Sequence, residues 1–250
     1  MAKKTDNNLY TIIFSTVMVL VVGTLLAFLA SSLKPRIIEN MRFEKQQNIL
    51  YAMGVHNNEG ANDVRYITTD VVGEVFEKYI KQQYYIQGGE LIEDEEAYLI
   101  ELAREEALAR NPDYQKRYPL FVGEKDGETY YIVPVLGKGL WDAIWGFVAL
   151  DENFVVKGVL FDHKAETPGL GANIKERFFM DMFKGEHIFD EEGYFAGITV
   201  AKGNNDPANV RKTDNRVDAI AGSTITGDGV TVMLRNYLRT YVPYIKQLNQ

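Results

Sequence analysis

Twenty-five consecutive residues, Leu9 to Leu33, carry no charged side chain. At about 1.5 Å of rise per residue, a helix of that length crosses a hydrocarbon core of about 30 Å with some tilt. Lys3 and Lys4 precede the run, and Lys34, Pro35 and Arg36 follow it. A cleaved signal peptide has a shorter apolar core and small residues at its cut site. Ala30-Ser31-Ser32 supplies small residues, but the run is too long for a signal core, so an uncleaved anchor is expected. No charged face gives the run the amphipathic character of a soluble core helix. Basic residues flank both ends, and Arg42 and Lys45 lie further on, so charge does not decide the orientation. The short N-terminal flank fits a cytoplasmic start, which places everything after Lys34 outside.

Composition narrows what the remainder can do. The chain has 250 residues, 46% of them apolar, enough for one sizeable domain beside the anchor. A net charge of -8 argues against a basic nucleic-acid-binding surface. Cysteine is absent, which excludes disulfides, cysteine-ligated clusters and thiol catalysis. The three histidines, His56, His163 and His187, show no zinc spacing.

Residues 37–55 have helical spacing and read as a stalk, with Gly54 as its stop. Asn57-Asn58-Glu59-Gly60 reads as a turn. Residues 71–86 are ambiguous, with Val72, Val75, Phe76 and Tyr79 fitting one helical face, and Gln87-Gly88-Gly89 breaks the pattern. Residues 90–110 predict a charged helix whose acidic side chains form a solvated face. From Tyr118 onward strands dominate. Asp126-Gly127 predicts a hairpin turn, and Pro134 predicts that the following strand lies at an edge or ends early. Helices are expected over residues 174–184 and 230–241, and a short strand over 196–202. The expected architecture is α+β: an N-terminal tail and transmembrane anchor over 1–36, a helical stalk and intermediate region over 37–117, and an α+β domain over 118–250.

Three glycine-containing stretches are placed to carry chemistry. Gly137-Lys138-Gly139-Leu140-Trp141 is followed by Trp145, and two neighbouring indoles either wall a planar ligand or pack in a core. Glu166-Thr167-Pro168-Gly169-Leu170-Gly171 starts like a dinucleotide fingerprint, but Ile174 stands at the third glycine position and no βαβ unit surrounds it. It is a turn whose backbone N–H groups suit an anion or a flavin carbonyl, or simply a tight loop. The third stretch is Asp218-Ala219-Ile220-Ala221-Gly222-Ser223-Thr224-Ile225-Thr226. It lacks both the Gly-Lys-Ser/Thr of a triphosphate loop and the second glycine of a nucleophile elbow. Its hydroxyls are acceptors for covalent modification, or caps, with Thr226 or Asp228 starting a helix near Val230.

Taken in order, Gly139-Leu140-Trp141, residues 166–171 and residues 218–226 resemble the FMN-binding domain family. Within it the chain is similar to the flavin-carrying subunit of Na⁺-translocating NADH:quinone oxidoreductases. The stalk Lys45-Gln46-Gln47-Asn48-Ile49-Leu50 and the single anchor share that similarity. The resemblance covers most of the chain and is weakest over residues 71–111. The family signal is Ser-Gly-Ala-Thr followed by one residue and often another Thr. Here Ala221 replaces the usual Ser or Thr and Ser223 replaces Ala, which leaves Thr224 in the acceptor place.

The resemblance implies an extracytoplasmic FMN-binding domain on an inner-membrane, single-pass chain. It also implies FMN joined covalently to Thr224 by a phosphoester, placed there by a separate flavin transferase. Gly222 and Ser223 would steady the phosphate, Trp141, Trp145, Thr167 and Leu170 would border the ring, and Asp218, Thr226, Glu166 and Gly171 complete the expected site. The chain would relay electrons between other membrane subunits of one respiratory complex and complete no reaction alone. The alternatives are the equivalent subunit of an Rnf-type ion-translocating complex, a membrane-anchored binding or assembly module without covalent flavin, and a tethered hydrolase using Ser223.

Overall fold

The computed structural model describes residues 8–204, 206 and 208–249; Lys3 and Lys4, expected to flank the anchor, lie outside them. The chain divides into two compact units, Met1–Phe43 and Glu44–Gln250. Helix α1 spans Asn8–Ala52 and includes Pro35. Its apolar window has a mean hydropathy of 2.7 and is exposed along its length. Leu9, Phe14, Leu20 and Phe28 are among the large apolar side chains left uncovered there, as expected of a helix whose solvent is lipid.

In the second unit α1 ends where the sequence places its stop. Gly54 has φ +79°, Val55 N–H reaches Leu50 O at 2.9 Å, and Gly54 N–H reaches Tyr51 O at 2.9 Å. This paired closure satisfies the last carbonyls of the helix and needs a left-handed residue at Gly54.

Two further pairs of left-handed residues fold the following strands into hairpins. Gly88 and Gly89 have φ +60° and +89°, and Asp126 and Gly127 have φ +56° and +80°, the geometry of a two-residue turn that matches strand twist. The strands are β1 (Ile80–Gln87), β2 (Glu90–Glu93), β3 (Tyr118–Lys125), β4 (Glu128–Lys138), β5 (Ala143–Leu150) and β6 (Val156–His163). They form one antiparallel sheet in the order β2-β1-β3-β4-β5-β6. A small parallel ladder pairs β7 (Thr199–Ala201) with β8 (Arg216–Asp218).

The register assigns the two faces of the sheet. Gly123 pairs with Tyr130 and Gly158 with Ala149, which pairs with Ile132. These positions share one face, and the end of α1 packs there: a Cβ on Gly123 would lie 2.8 Å from Met53 Sδ, and one on Gly158 would lie 2.5 Å from Ala52 O. Alternate positions of β4 face the other way. There a Cβ on Gly137 would lie 2.8 Å from Met233 Cβ, in helix α5 (Thr224–Leu248). Val230, Leu234, Leu238, Tyr241 and Ile245 of α5 are fully buried, each contributing about 1.5–3 kcal/mol of apolar burial.

Several expectations need correction. The stretch 90–110 is not one charged helix: it holds β2, a turn of 3-10 helix at Ala97–Leu99 and a short α3, Leu102–Leu108. The Gly88–Gly89 turn folds its start back onto β1, and tertiary burial takes over from helical propensity. Nor are all of its carboxylates solvated. Glu105 is 1% exposed and accepts hydrogen bonds from Tyr114 Oη at 2.6 Å and Arg117 Nη2 at 2.7 Å. The ambiguous segment 71–86 is α2 (Val72–Tyr79) followed by β1, so the region 37–117 is not helical throughout. The strand that carries Pro134 is not an edge strand: β4 lies between β3 and β5 in the sheet order. The β3 ladder ends at Phe121–Ile132, two residues before Pro134, and β4 continues against β5 alone. The helix expected over 174–184 is three short turns: 3-10 helix at Gly171–Lys175, α4 at Arg177–Met180 and 3-10 helix at Asp181–Phe183. Phe179 and Phe183 are buried with Phe161, whereas Phe178 is exposed.

Gly158→Ala tests how closely α1 sits on the sheet. The added methyl would meet a backbone carbonyl that cannot swing aside, so the expected cost is about 1–3 kcal/mol, read as a lower denaturant midpoint. An unchanged midpoint would show that the helix end has room to move.

Candidate functional site

Three segments distant in sequence meet at one end of the sheet: the turn joining β4 to β5, the loop after β6, and the start of α5. They enclose a cleft of about 220 Å³ lined by Leu140, Glu166, Thr167, Leu170, Gly171 and residues 222–226. The carboxylate of Glu166 lies at their junction and is 4% exposed. Its Oε1 accepts the Trp141 backbone N–H at 2.9 Å, and its Oε2 accepts the Thr226 hydroxyl at 2.6 Å. Two glycines make room for it. A Cβ on Gly139 would lie 2.5 Å from Glu166 Oε1, and one on Gly171 would lie 2.6 Å from Thr226 Oγ1 and collide with Glu166 Oε2. The second glycine of the Gly169-Leu170-Gly171 turn is therefore required by a carboxylate of the protein itself.

Burial would raise the Glu166 pKa. The Thr226 hydroxyl and the backbone N–H groups of Trp141, Leu140 and Asp142 outweigh it, holding the carboxyl below the usual glutamate range. The Glu166 N–H in turn donates to His163 Nδ1 at 3.2 Å, so that nitrogen is engaged.

The neighbouring hydroxyls differ sharply. Gly222 has φ +75° and lets the chain turn sharply ahead of α5; a Cβ there would lie 2.9 Å from Leu170 Cδ2. Ser223 immediately precedes α5 but makes no side-chain cap. It is 6% exposed, and its Oγ is buried without a partner. Thr224, the first residue of α5, is exposed. Thr226 is 2% exposed and committed to Glu166. The first N–H groups of an α-helix have no partner within it, and the helix dipole adds partial positive charge there, so the cleft floor beside Thr224 favours an anion.

The expected start of this helix near Val230, capped by Thr226 or Asp228, is corrected to Thr224. Gly227 and Gly229 disguise the first turns, because glycine disfavours helix. Packing requires them: a Cβ on Gly227 would lie 3.0 Å from Val200 Cγ1, and one on Gly229 would collide with Lys138 O.

The two indoles part company. Trp141 does not line the cleft itself but touches its wall: it is 65% exposed, and its Nε1–H donates to Thr167 Oγ1 at 3.2 Å. Trp145 pairs with Leu136 in the sheet, on the face opposite Gly137 and α5, and is not among the residues lining the cleft. Asp218 ends β8 and likewise does not line it; its Oδ1 is buried without a partner. Leu140 and Ile225, to which the sequence alone assigns no role, do line it. Both flank expected site residues, so adjacency in sequence is the available signal. Ser223 lacks a positioned base, which removes the hydrolase reading. Among the described residues no group of three or more His, Cys, Asp or Glu is arranged to hold a metal.

Residues 139–239, which include every segment of this cleft, match the sequence model of the FMN-binding domain. The chain is 29% identical to the C subunit of the Na(+)-translocating NADH-quinone reductase of Pseudomonas aeruginosa, over 91% of this chain and 90% of that protein. It is 27% identical to the protein of the same name from Neisseria meningitidis serogroup A, over 99% and 98% of the two chains. Among solved structures, NqrC of Shewanella oneidensis superposes with a TM-score of 0.64 at 26% identity, covering 82% of this chain and 98% of the other. The corresponding C subunit from Parabacteroides distasonis superposes with a TM-score of 0.70 at 31% identity, covering 85% of this chain and 96% of that one. With its fold and nearly its whole length shared with these proteins, this chain belongs to the NqrC family, the C subunits of Na(+)-translocating NADH-quinone reductases.

Proposed function

We propose that this chain is the FMN-bearing electron-transfer subunit of a membrane complex that oxidises NADH, reduces a quinone and moves sodium ions, and that its FMN is tied to Thr224 through a phosphoester. One observation carries the attachment point. Of the three hydroxyls in the 218–226 stretch, all of which line the cleft, Thr224 is exposed, while Ser223 and Thr226 are buried. An installing enzyme has to reach the hydroxyl it modifies, and burial removes two of three chemically similar candidates.

The surroundings fit the group. A phosphodiester keeps one negative charge, and the start of α5 offers N–H groups and a favourable dipole to it. The unpartnered Ser223 Oγ adds a further donor. Leu140, Leu170, Thr167 and Trp141 offer the mixed apolar and hydrogen-bonding border that a flavin ring takes up. At about 220 Å³ the cleft falls below the roughly 300–1,000 Å³ of sites that enclose a whole ligand, so these residues would hold FMN along one side. When bound, FMN supplies a centre that accepts and releases electrons. Glu166 contributes by fixing the start of α5 and the Trp141 turn relative to one another.

Installation would use a separate flavin transferase acting on FAD. The Thr224 oxygen attacks the flavin-side phosphorus, the P–O–P bridge breaks, AMP departs with the bridging oxygen, and the hydroxyl proton is released. Redox partners are other subunits of the same complex. Residues 9–33 would lie in the lipid of an inner membrane, with the second unit on its periplasmic side.

Co-expression with a flavin transferase, followed by a denaturing gel, tests the attachment. Wild-type chain, Ser223→Ala and Thr226→Val should fluoresce, and Thr224→Ala should be dark. A fluorescent Thr224→Ala band moves the tether elsewhere.

Glu166→Ala strands the Thr226 hydroxyl and several N–H groups. It should cost about 1–3 kcal/mol for the buried groups left unpaired and lower flavin incorporation. Because the folded pKa of Glu166 is depressed, its contribution is present above the ordinary value of 4.5 and is lost as pH falls through the folded value. Acid titration of wild-type and Glu166→Ala chains should therefore converge in stability below that value. Parallel curves throughout would mean that the carboxylate is not what holds the segments.

A further inference from the structure

A second cavity, of about 300 Å³, lies beside the end of α1 and shares no residue with the cleft described above. The polar side chains in its wall are Tyr51, His56, Lys157, Arg177, Asp181 and Lys184. Their existing hydrogen bonds leave a set of donors. Tyr51 Oη accepts Asn58 Nδ2 at 2.8 Å, so its own hydrogen remains to be given, and burial holds the phenol above its ordinary pKa. His56 Nδ1 accepts the Asn58 N–H at 3.3 Å, which assigns the hydrogen of the neutral ring to Nε2. Arg177 directs its terminal nitrogens to Ala61 O and Asp181, while its Nε is buried with no partner.

The charges agree with the hydrogen bonds. Asp181 is the one acidic side chain in this wall, and Arg177 engages it at 3.2 Å. Lys157 pairs with Glu128 at 2.9 Å and lies 3.7 Å from Asp151, both outside the cavity wall. Lys184 is exposed and has no ion pair among the described residues. Burial, and then the charges of Lys125 and Arg177, push His56 below its ordinary pKa. On a chain of net charge -8, this is a localised excess of positive charge around a hollow, a setting that draws anions.

We propose that this cavity is a binding site for a phosphomonoester. A guanidinium and two ammonium groups favour an oxyanion with several acceptor oxygens and more than one charge, which a phosphomonoester has and a simple carboxylate lacks. The remaining volume and the apolar wall of Val159 and Met180 suit an organic remainder on the phosphate. A soluble phosphomonoester and the headgroup of phosphatidic acid share this chemistry.

Titration of the histidine ring protons by NMR tests the site on the full chain, since three histidines are readily assigned. One arm adds sn-glycerol 3-phosphate to the chain in detergent, with glycerol and matched sodium chloride as controls. The other places the chain in phosphatidylcholine nanodiscs with or without phosphatidic acid. The expected result is a saturable upward shift of the His56 pKa in at least one arm, with His163 and His187 unmoved, weakened roughly fivefold or more in affinity by K157Q/K184Q. The arm that responds identifies the source. No saturable His56 shift in either arm, or a shift that K157Q/K184Q leaves intact, overturns the proposal.

Discussion

The functional end of this protein rests on one buried carboxylate. Glu166 is removed from water yet stays ionised, because a hydroxyl and several backbone N–H groups replace its hydration. Its two oxygens bind different segments, one the turn before β5 and the other the first turn of α5. Gly139 and Gly171 give up their side chains to admit the charge. Thr224 inherits its position from this arrangement: it lies two residues before Thr226, on a helix turn that Glu166 fixes.

The legible parts of the fold are those governed by local chemistry. Asp126-Gly127 announces its own turn because both residues adopt left-handed backbone cheaply. Gly54 likewise marks the end of α1, and the uncharged run of residues 9–33 announces its helix. The parts that mislead are those where distant contacts overrule local preference. Gly227 and Gly229 look like helix breakers until α5 is placed against β4 and β7, where no side chain fits. Pro134 suggests an edge strand, yet β4 is central in the sheet, and the proline is tolerated there because the β3 ladder has already stopped. The acidic stretch 90–110 looks like a solvated helix until Glu105 is found under Arg117 and Tyr114.

The candidate site divides in the same way. Glycine and hydroxyl residues close together in sequence point to Thr224, Leu170 and Thr167, which line one cleft. Trp145 misleads because it lies in β5 on the face away from α5 while Trp141 lies in the turn before it, which spacing alone does not reveal. Ranking Ser223, Thr224 and Thr226 needs burial, and burial depends on a carboxylate 60 positions away from Thr226.

The order of elements along the chain has a temporal consequence. The strands of the sheet join largely to their sequence neighbours and can assemble as each hairpin emerges during synthesis. Helix α5 occupies Thr224–Leu248, after every strand of the sheet, and the cleft has no wall on that side until α5 docks. A chain in which α5 has not docked, or has docked wrongly, therefore has no finished cleft. Under the attachment proposed above, FMN joined to Thr224 would therefore mark a chain whose α5 is in place.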